Sequence, residues 1–412
     1  MIKLRDVSEI ITKGTTPTTI GEKFVEAGVN YVKSESITRT KYLDNTLFEH
    51  ITEETHRKLK RSQLEEDDLL FSIAGAYLGK IGKVRKEDLP LNTNQAVGIV
   101  RLKKNLVDVD YVYYYFSQEK VNHYINILSS QSGQPNLNLE LLGNLEFVNR
   151  DLFEQQKIGM LLSLLDDKIE NNKKINGKLE SMTKTIYDYW FLQFEFPNED
   201  GKPYKSSGGK MVWNEELKKE IPVGWKVGNL YEIAEFINGL ACQKYRPVNH
   251  DKKIPVIKIK EMHEGISEST EYVKEDIPEK NIINDGDILF SWSATLETMI
   301  WSGGKGGLNQ HIFKIIPRGY AKYYVYMQLS AYIVNFIHMA EARKTTMGHI
   351  TTDHLQQSRI AIPPKKIVDM YDERTQDFFD KIICNNKQNR ELVFLRDFLL
   401  PLLMNGQVRF KE

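Results

Sequence analysis

The stretch Asp167-Lys168-Ile169-Glu170-Asn171-Asn172-Lys173-Lys174-Ile175-Asn176-Gly177-Lys178-Leu179 is answered 213 residues later by Asp380-Lys381-Ile382-Ile383-Cys384-Asn385-Asn386-Lys387-Gln388-Asn389-Arg390-Glu391-Leu392. The shared residues Asp, Lys, Ile, Asn, Asn and Leu keep their spacing, which marks an internal duplication. Around each copy the apolar and small residues alternate by four and three. The first seam runs Ile158, Leu162, Leu165, Ile169, Asn172, Asn176, Leu179, Thr183 and Ile186; the second runs Tyr371, Thr375, Phe378, Ile382, Asn385, Asn389, Leu392, Arg396 and Leu399. That spacing predicts two long helices with a coiled-coil seam. Gly177 is the one break before Pro401, which is expected to kink the second helix.

Working outward, three further blocks recur in the same order. Glu66-Asp67-Asp68-Leu69-Leu70-Phe71-Ser72 returns as Asp285-Gly286-Asp287-Ile288-Leu289-Phe290-Ser291. Asn94-Gln95 before an apolar run returns as Asn309-Gln310, and the tyrosine-rich run 110–116 returns at 323–326. Each half therefore reads as an α+β module followed by a helix. The expected boundaries are a first module at 1–150, a helix at 151–192, a linker at 193–210, a second module at 211–366, and a second helix with a tail at 367–412. Because the first helix leaves module one and enters module two, helices packed along their seams must run antiparallel, with pseudo-two-fold symmetry. The dyad is expected near Lys174 and Lys387, pairing Asn172 with Asn389 and Asn176 with Asn385. Buried asparagine at a seam lowers stability but fixes register. The seam from Ile158 to Trp190 is roughly 50 Å long at 1.5 Å per residue, about 15 base pairs of duplex. Such a stalk suits a ruler between two heads.

Bulk composition narrows the class. Of 412 residues, 41% are hydrophobic and 27% charged, as in soluble globular chains. No apolar run approaches the length of a membrane helix, and Met1-Ile2-Lys3-Leu4-Arg5-Asp6 carries charge where a signal peptide would be apolar; a cytoplasmic location is expected. Cys242 and Cys384 are the only cysteines, too few for a disulfide framework. Lys plus Arg equals Asp plus Glu at 56 each. Neutrality argues against strong unaided, non-specific binding to a polyanion.

Enzyme signatures are missing. Ser302-Gly303-Gly304-Lys305-Gly306-Gly307 lacks the hydroxyl residue of a phosphate loop. His50 with His56, and His338 with His349, lack ligand spacing to other metal-binding side chains. No catalytic residue, metal site or cofactor of this chain is expected.

The loops after the repeated strands are the better candidates. In the first module they offer Ser72, Ala74, Gly75, Tyr77 and Lys80, and their counterparts are Ser291, Trp292, Ser293 and Thr295. Small residues allow close backbone approach, while Ser, Thr and Lys can bond phosphate or base edges. A second pair of loops carries Ser130, Gln131, Gln134 and Asn136, then Arg343, Lys344, Thr345, Thr346 and His349. Asn and Gln suit adenine, and Arg and Lys suit guanine, in the major groove. Lys13 to Thr16, Gln243 to Arg246 and Lys33 to Lys41 are weaker candidates; Asn94-Gln95 and Asn309-Gln310 fit the satisfaction of buried backbone. The tyrosine runs read as core. Leu399, Leu400, Leu402 and Leu403 form an apolar end that two helices cannot bury, so a partner is expected to cover them.

Several stretches resemble the specificity subunits of Type I restriction–modification systems. They are Leu395-Arg396-Asp397-Phe398-Leu399-Leu400-Pro401-Leu402-Leu403-Met404-Asn405-Gly406, Met211-Val212-Trp213-Asn214-Glu215-Glu216-Leu217 with Ile221-Pro222-Val223-Gly224-Trp225, Gly307-Leu308-Asn309-Gln310, and Gln134-Pro135-Asn136-Leu137-Asn138. The resemblance implies two target-recognition domains, each reading half of a bipartite double-stranded DNA site. It also implies helices that dock two methyltransferase subunits, with restriction subunits joining through the complex. The chemistry would then lie in partner chains. A duplicated coiled-coil scaffold without DNA specificity is the alternative.

Overall fold

The computed structural model describes residues 1–75, 78–130, 136–248, 250–293, 295–342, 350 and 352–410, the side chains of 130 and 340–342 excepted. The chain divides into two compact units: Met1–Glu170 with Glu391–Glu412, and Asn171–Arg390.

In the first unit, β1 (Ser8–Lys13), β2 (Val29–Val32), β3 (Glu49–Ile51), β4 (Leu69–Ser72), β5 (Ile81–Lys83), β6 (Leu91–Thr93) and β7 (Val97–Leu102) form two sheets. One is antiparallel with order β1-β7-β4-β5; the other has order β3-β2-β6, with β2 parallel to β6. Leu69-Leu70-Phe71-Ser72 is buried throughout, which is why this apolar run takes an inner position. Asp68 explains its own recurrence: its carboxylate accepts from the Glu65 backbone N–H and from Arg101 of β7 at 2.8 Å. Helix α1 (Val109–Ser117) starts where the Asp108 side chain accepts from the Tyr111 N–H. Tyr111, Val112 and Phe116 fill the core, as read from the sequence.

The second unit repeats this plan with β8 (Ala234–Asn238), β9 (Lys253–Ile257), β10 (Tyr272–Lys274), β11 (Ile282–Ile283), β12 (Ile288–Ser291), β13 (Glu297–Ile300), β14 (Gly306–Leu308) and β15 (Ile312–Pro317). Its sheets have orders β8-β15-β12-β13 and β10-β9-β14-β11, and β9 is parallel to β14 as β2 is to β6. Asp287 again accepts a backbone N–H three residues back, from Asn284, and pairs with Lys314 of β15 at 2.9 Å. Duplication thus extends from motif to topology. Phe194 and Phe196, in the stretch expected as a linker, pack on Trp225 in this core, because large aromatics find burial rather than solvent.

The two seams are continuous helices, α2 (Leu152–Tyr187, 36 residues) and α4 (Lys365–Met404, 40 residues), with α3 (Lys322–Ala342) between them in sequence. Within the second unit, Asn172 donates to Asn389 and Asn385 donates to Asn176, each at 2.8 Å. Rising numbers on α2 meet falling numbers on α4, so the pair is antiparallel in the expected register. Asn386 and Gln388 accept further amide hydrogens, while the Asn172 Oδ1 is buried with no partner. In the first unit Asp166 meets Arg396 at 2.7 Å, again antiparallel. One detail differs from the heptad reading: Phe379, rather than Phe378, enters the core. Helix α4 continues through Pro401 to Met404. Among the described residues no helix is long and apolar enough to cross a membrane.

Candidate nucleic-acid interface

Four loops converge at one end of the antiparallel sheet in the first unit. The Ile73 N–H donates to Ala96 O and the Leu137 N–H donates to Ile73 O, both at 2.9 Å, and Ala74 bridges Asn136. These bonds tie the 72–80 loop to the Asn94-Gln95 turn and to the end of the 130–136 loop. Gly14 closes the fourth side: a Cβ there would lie 2.2 Å from Asn94 O, so only glycine fits. The Thr16 hydroxyl donates to the Gln95 side chain.

The second unit builds the same junction. Trp292 takes the place of Ile73, donating to His311 O and accepting from the Ile350 N–H at 3.0 Å. Gly239 packs against the Asn309-Gln310 turn, where a Cβ would lie 2.0 Å from Asn309 O. In both turns the asparagine Oδ1 accepts the backbone N–H two residues on, from Ala96 and from His311. The asparagines are therefore structural. Gln95 stays exposed and Gln310 half-buried, its side chain beside His311.

Burial sorts the expected contact residues. Ser72 and Ser291 are 0% exposed as the last residues of β4 and β12, and Ser293 is buried, so their hydroxyls face the interior and not a ligand. Trp292 packs against His311 and Phe313. Ala74, Gly75, Lys80, Asn136 and Thr295 reach the surface. Gly75 adopts φ +82° at the loop tip, with nothing within 4 Å of where a Cβ would stand. Burial and the nearby Arg39 guanidinium, itself paired with Glu119, lower the Lys80 ammonium from its ordinary value. Tyr77, Gln131, Gln134, Arg343, Lys344, Thr345, Thr346 and His349 lie outside the described residues, as does the side chain of Ser130.

Among the weaker candidates, Lys41 is buried against Ser163 and Asp110, and Lys33 pairs with Glu49; both are structural. Gln95, Thr16 and Arg39 also reach the surface, with Thr16 and Gln95 bonded to each other. The recurrence of Asn-Gln before β7 and β15 was the available signal, with the Asn and Gln roles separable only in three dimensions. Among the described residues no group of three or more His, Cys, Asp or Glu is placed to hold a metal.

Leu403 is a correction. It is buried in the first unit's own core with Met404, and Leu399 and Leu400 pack partly against that core. Arg150 donates to the carbonyls of Leu403 and Met404 and seats the helix end. The module therefore covers most of the apolar end that two helices could not. Leu402 remains half-buried.

The profile described as the Type I restriction modification DNA specificity domain matches residues 1–181 and again 222–393. The chain belongs to this family. Among relatives of the specificity family, the Type I restriction enzyme MjaIX specificity subunit of Methanocaldococcus jannaschii is 27% identical over 100% of this chain and 93% of its own length. The HindI specificity subunit of Haemophilus influenzae is 23% identical over 71% of this chain and 75% of its own. The crystal structure of a Type I restriction–modification S subunit from M. genitalium has the same fold, with a TM-score of 0.61 and 13% identity over 98% of this chain and 95% of that one. The double match of the specificity domain agrees with the duplicated sheets and loop junctions, and with a chain that serves as a specificity subunit.

Proposed function

We propose that each loop junction reads one half of a bipartite double-stranded DNA site. The observation that carries this reading is the repeated junction at one sheet end, built by equivalent backbone bonds in both units. In the first unit the contacting groups are Gly75, Lys80, Asn136, Gln95 and Arg39, with Gln131 and Gln134 beyond the described residues. In the second they are Thr295 and Gln310, with Arg343 to Thr346 and His349. Backbone and hydroxyl donors position the duplex and amides address base edges. The helix pair docks two methyltransferase subunits, restriction subunits join through that complex, and this chain needs no cofactor of its own. Net neutrality supports a shared grip, in which partners supply much of the phosphate contact.

The test is a map of methylated adenines in host DNA with and without this gene. Exchanging residues 229–366 for those of a relative should change one half of the methylated motif and preserve the other. Alteration of both halves, or of neither, would overturn the reading.

A further inference from the structure

In the first unit the Thr15-Thr16 step holds two polar groups at once. Thr15 is fixed on both sides: its N–H donates to Thr93 O at 3.0 Å, and its carbonyl accepts from the hydroxyl of buried Tyr31 at 2.9 Å. Its own hydroxyl accepts from an Arg61 Nη at 3.2 Å. One residue on, the Thr16 hydroxyl donates to Gln95, a group proposed above to address bases. Adjacent hydroxyls on one anchored loop therefore hold a guanidinium and a base-reading amide. Arg61 is exposed and makes no ion pair among the described residues. Thr15 takes one of its N–H donors, which leaves the rest of a positioned fork to meet an oxyanion. A guanidinium matches phosphate by two-point hydrogen bonding, and restraint by Thr15 lowers the entropy lost on binding.

Duplication supplies the comparison. Lys60–Ser62 forms one short turn packed against β1, and Glu279–Asn281 forms the same turn packed against β8. The two turns lie equally far ahead of β4 and β12. Leu240 follows Gly239 as Thr15 follows Gly14, and its N–H donates to Leu308 O at 2.9 Å as that of Thr15 does to Thr93 O. By this equivalence Thr15-Thr16 becomes Leu240-Ala241, and Lys60-Arg61 becomes Glu279-Lys280. The second loop has no hydroxyl at these positions to hold a cation, and a carboxylate adjoins its lysine. In a chain whose charges balance overall, phosphate binding needs cations gathered in one place. Exposed Lys60 beside Arg61 makes such a place in the first unit, and the matching turn of the second is neutral.

We infer that Arg61 binds a backbone phosphate of the first half-site and, through the Thr15-Thr16 step, fixes where Gln95 meets the bases, a clamp that the second module lacks. The clamp rests on the site reading proposed above. Domain exchange tests that reading, whereas neutralising single phosphates tests the clamp, so the two failures look different. The experiment uses the chain assembled with its methyltransferase subunits and duplexes carrying the methylated motif, each with one phosphate replaced by an uncharged methylphosphonate. In the half-site that exchange of residues 229–366 leaves intact, one replacement should weaken wild-type binding at least about 10-fold, the scale of a hydrogen bond to a charged group. Arg61→Gln should bind the unmodified duplex more weakly by a similar factor and be indifferent to that replacement. Thr15→Val keeps the charge but frees the guanidinium, so sensitivity at that phosphate should fall while the slope of log affinity against log salt stays. Lys280→Gln should leave the profile of the other half-site unchanged. A wild-type complex with no sensitive phosphate in the first half-site overturns the clamp. So does an Arg61→Gln complex that keeps the wild-type profile, or a Lys280→Gln complex that loses a sensitive phosphate in the second.

Discussion

The two units hold their share of the helix pair by different chemistry at corresponding positions. In the first, Asp110 pairs with Lys41 and Lys83, while Asp166 accepts from Tyr114 at 2.6 Å and pairs with Arg396. In the second, the residues 213 positions on are Tyr323 and Phe379, whose rings stack 4.2 Å apart at an interplanar angle of 7°. One tether is kept: Asp167 accepts from Tyr42, and Asp380 accepts from Tyr323 at 2.6 Å. Duplicated modules therefore conserve backbone plan and register while exchanging an ionic seat for an aromatic one. The ionic seat depends on every partner being present, since a buried charge left alone is far more costly than a buried pair. The aromatic seat depends on shape and area.

The largest effect is expected from Phe379→Ala, which empties the stack and should cost about 4 kcal/mol by lost burial and cavity formation. All five tryptophans, Trp190, Trp213, Trp225, Trp292 and Trp301, lie in the second unit, so fluorescence reports its unfolding alone. Denaturant titration should show the fluorescence midpoint moving. Arg396→Met strands Asp166 in the first unit and should cost about 3 kcal/mol there, the low end for a broken buried pair because Arg396 keeps 19% side-chain exposure. Circular dichroism should register that loss while the tryptophan transition stays in place. Asp166→Leu/Arg396→Met should recover most of it. A double variant as unstable as the single one would show that the pair itself, rather than the orphaned charge, matters.

Acid should separate the units next. Burial pushes the Asp110 carboxyl up, but the Lys41 and Lys83 ammonium groups outweigh it and hold the carboxyl below its ordinary value. A carboxyl depressed in the folded state binds fewer protons there than when unfolded. Its contribution to stability is complete above the ordinary carboxylate value and disappears as pH falls through the folded one. The first unit should lose this contribution in acid. Tyr323, at the matching place in the second, has no proton to gain there. Asp110→Asn should flatten the acid dependence of the first transition only. An equal flattening in the tryptophan signal would break the comparison.

Much of this plan was legible because periodicity and duplication act locally. Heptad spacing located both helices, and the asparagines named their own partners, since a buried amide needs a hydrogen-bond partner and the antiparallel register sets another amide across the seam. Phe378 and Phe379 show the limit. Adjacent aromatics differ by about 100° around a helix, and the module rather than the seam decides which is buried. Ser72 and Ser291 fail as contacts for a related reason. They end inner strands, and no local signal separates the last buried residue from the first exposed one. Leu403 reads as partner-facing from the sequence because two helices cannot bury it; the module that does so is folded from residues more than 250 positions earlier. Gly14 and Gly239 reveal their role only when the Asn-Gln turn is packed against them.

The smallest effect tests whether the loop junctions differ as the seats do. The first junction carries Lys80 beside Arg39, whereas the described surface of the matching loop in the second carries Thr295. A lysine that neutralises one phosphate releases about one counterion, so removing it lowers the slope of log affinity against log salt by about 0.9. Lys80→Ala in the assembled complex should therefore bind duplex more weakly, lose close to one unit of slope, and keep its methylated motif. Thr295→Ala should leave the slope as it was, because a hydroxyl displaces no counterion. If Lys80→Ala instead changed which bases are methylated, Lys80 would be addressing a base edge, and the two junctions would differ in what they read rather than only in how firmly they hold.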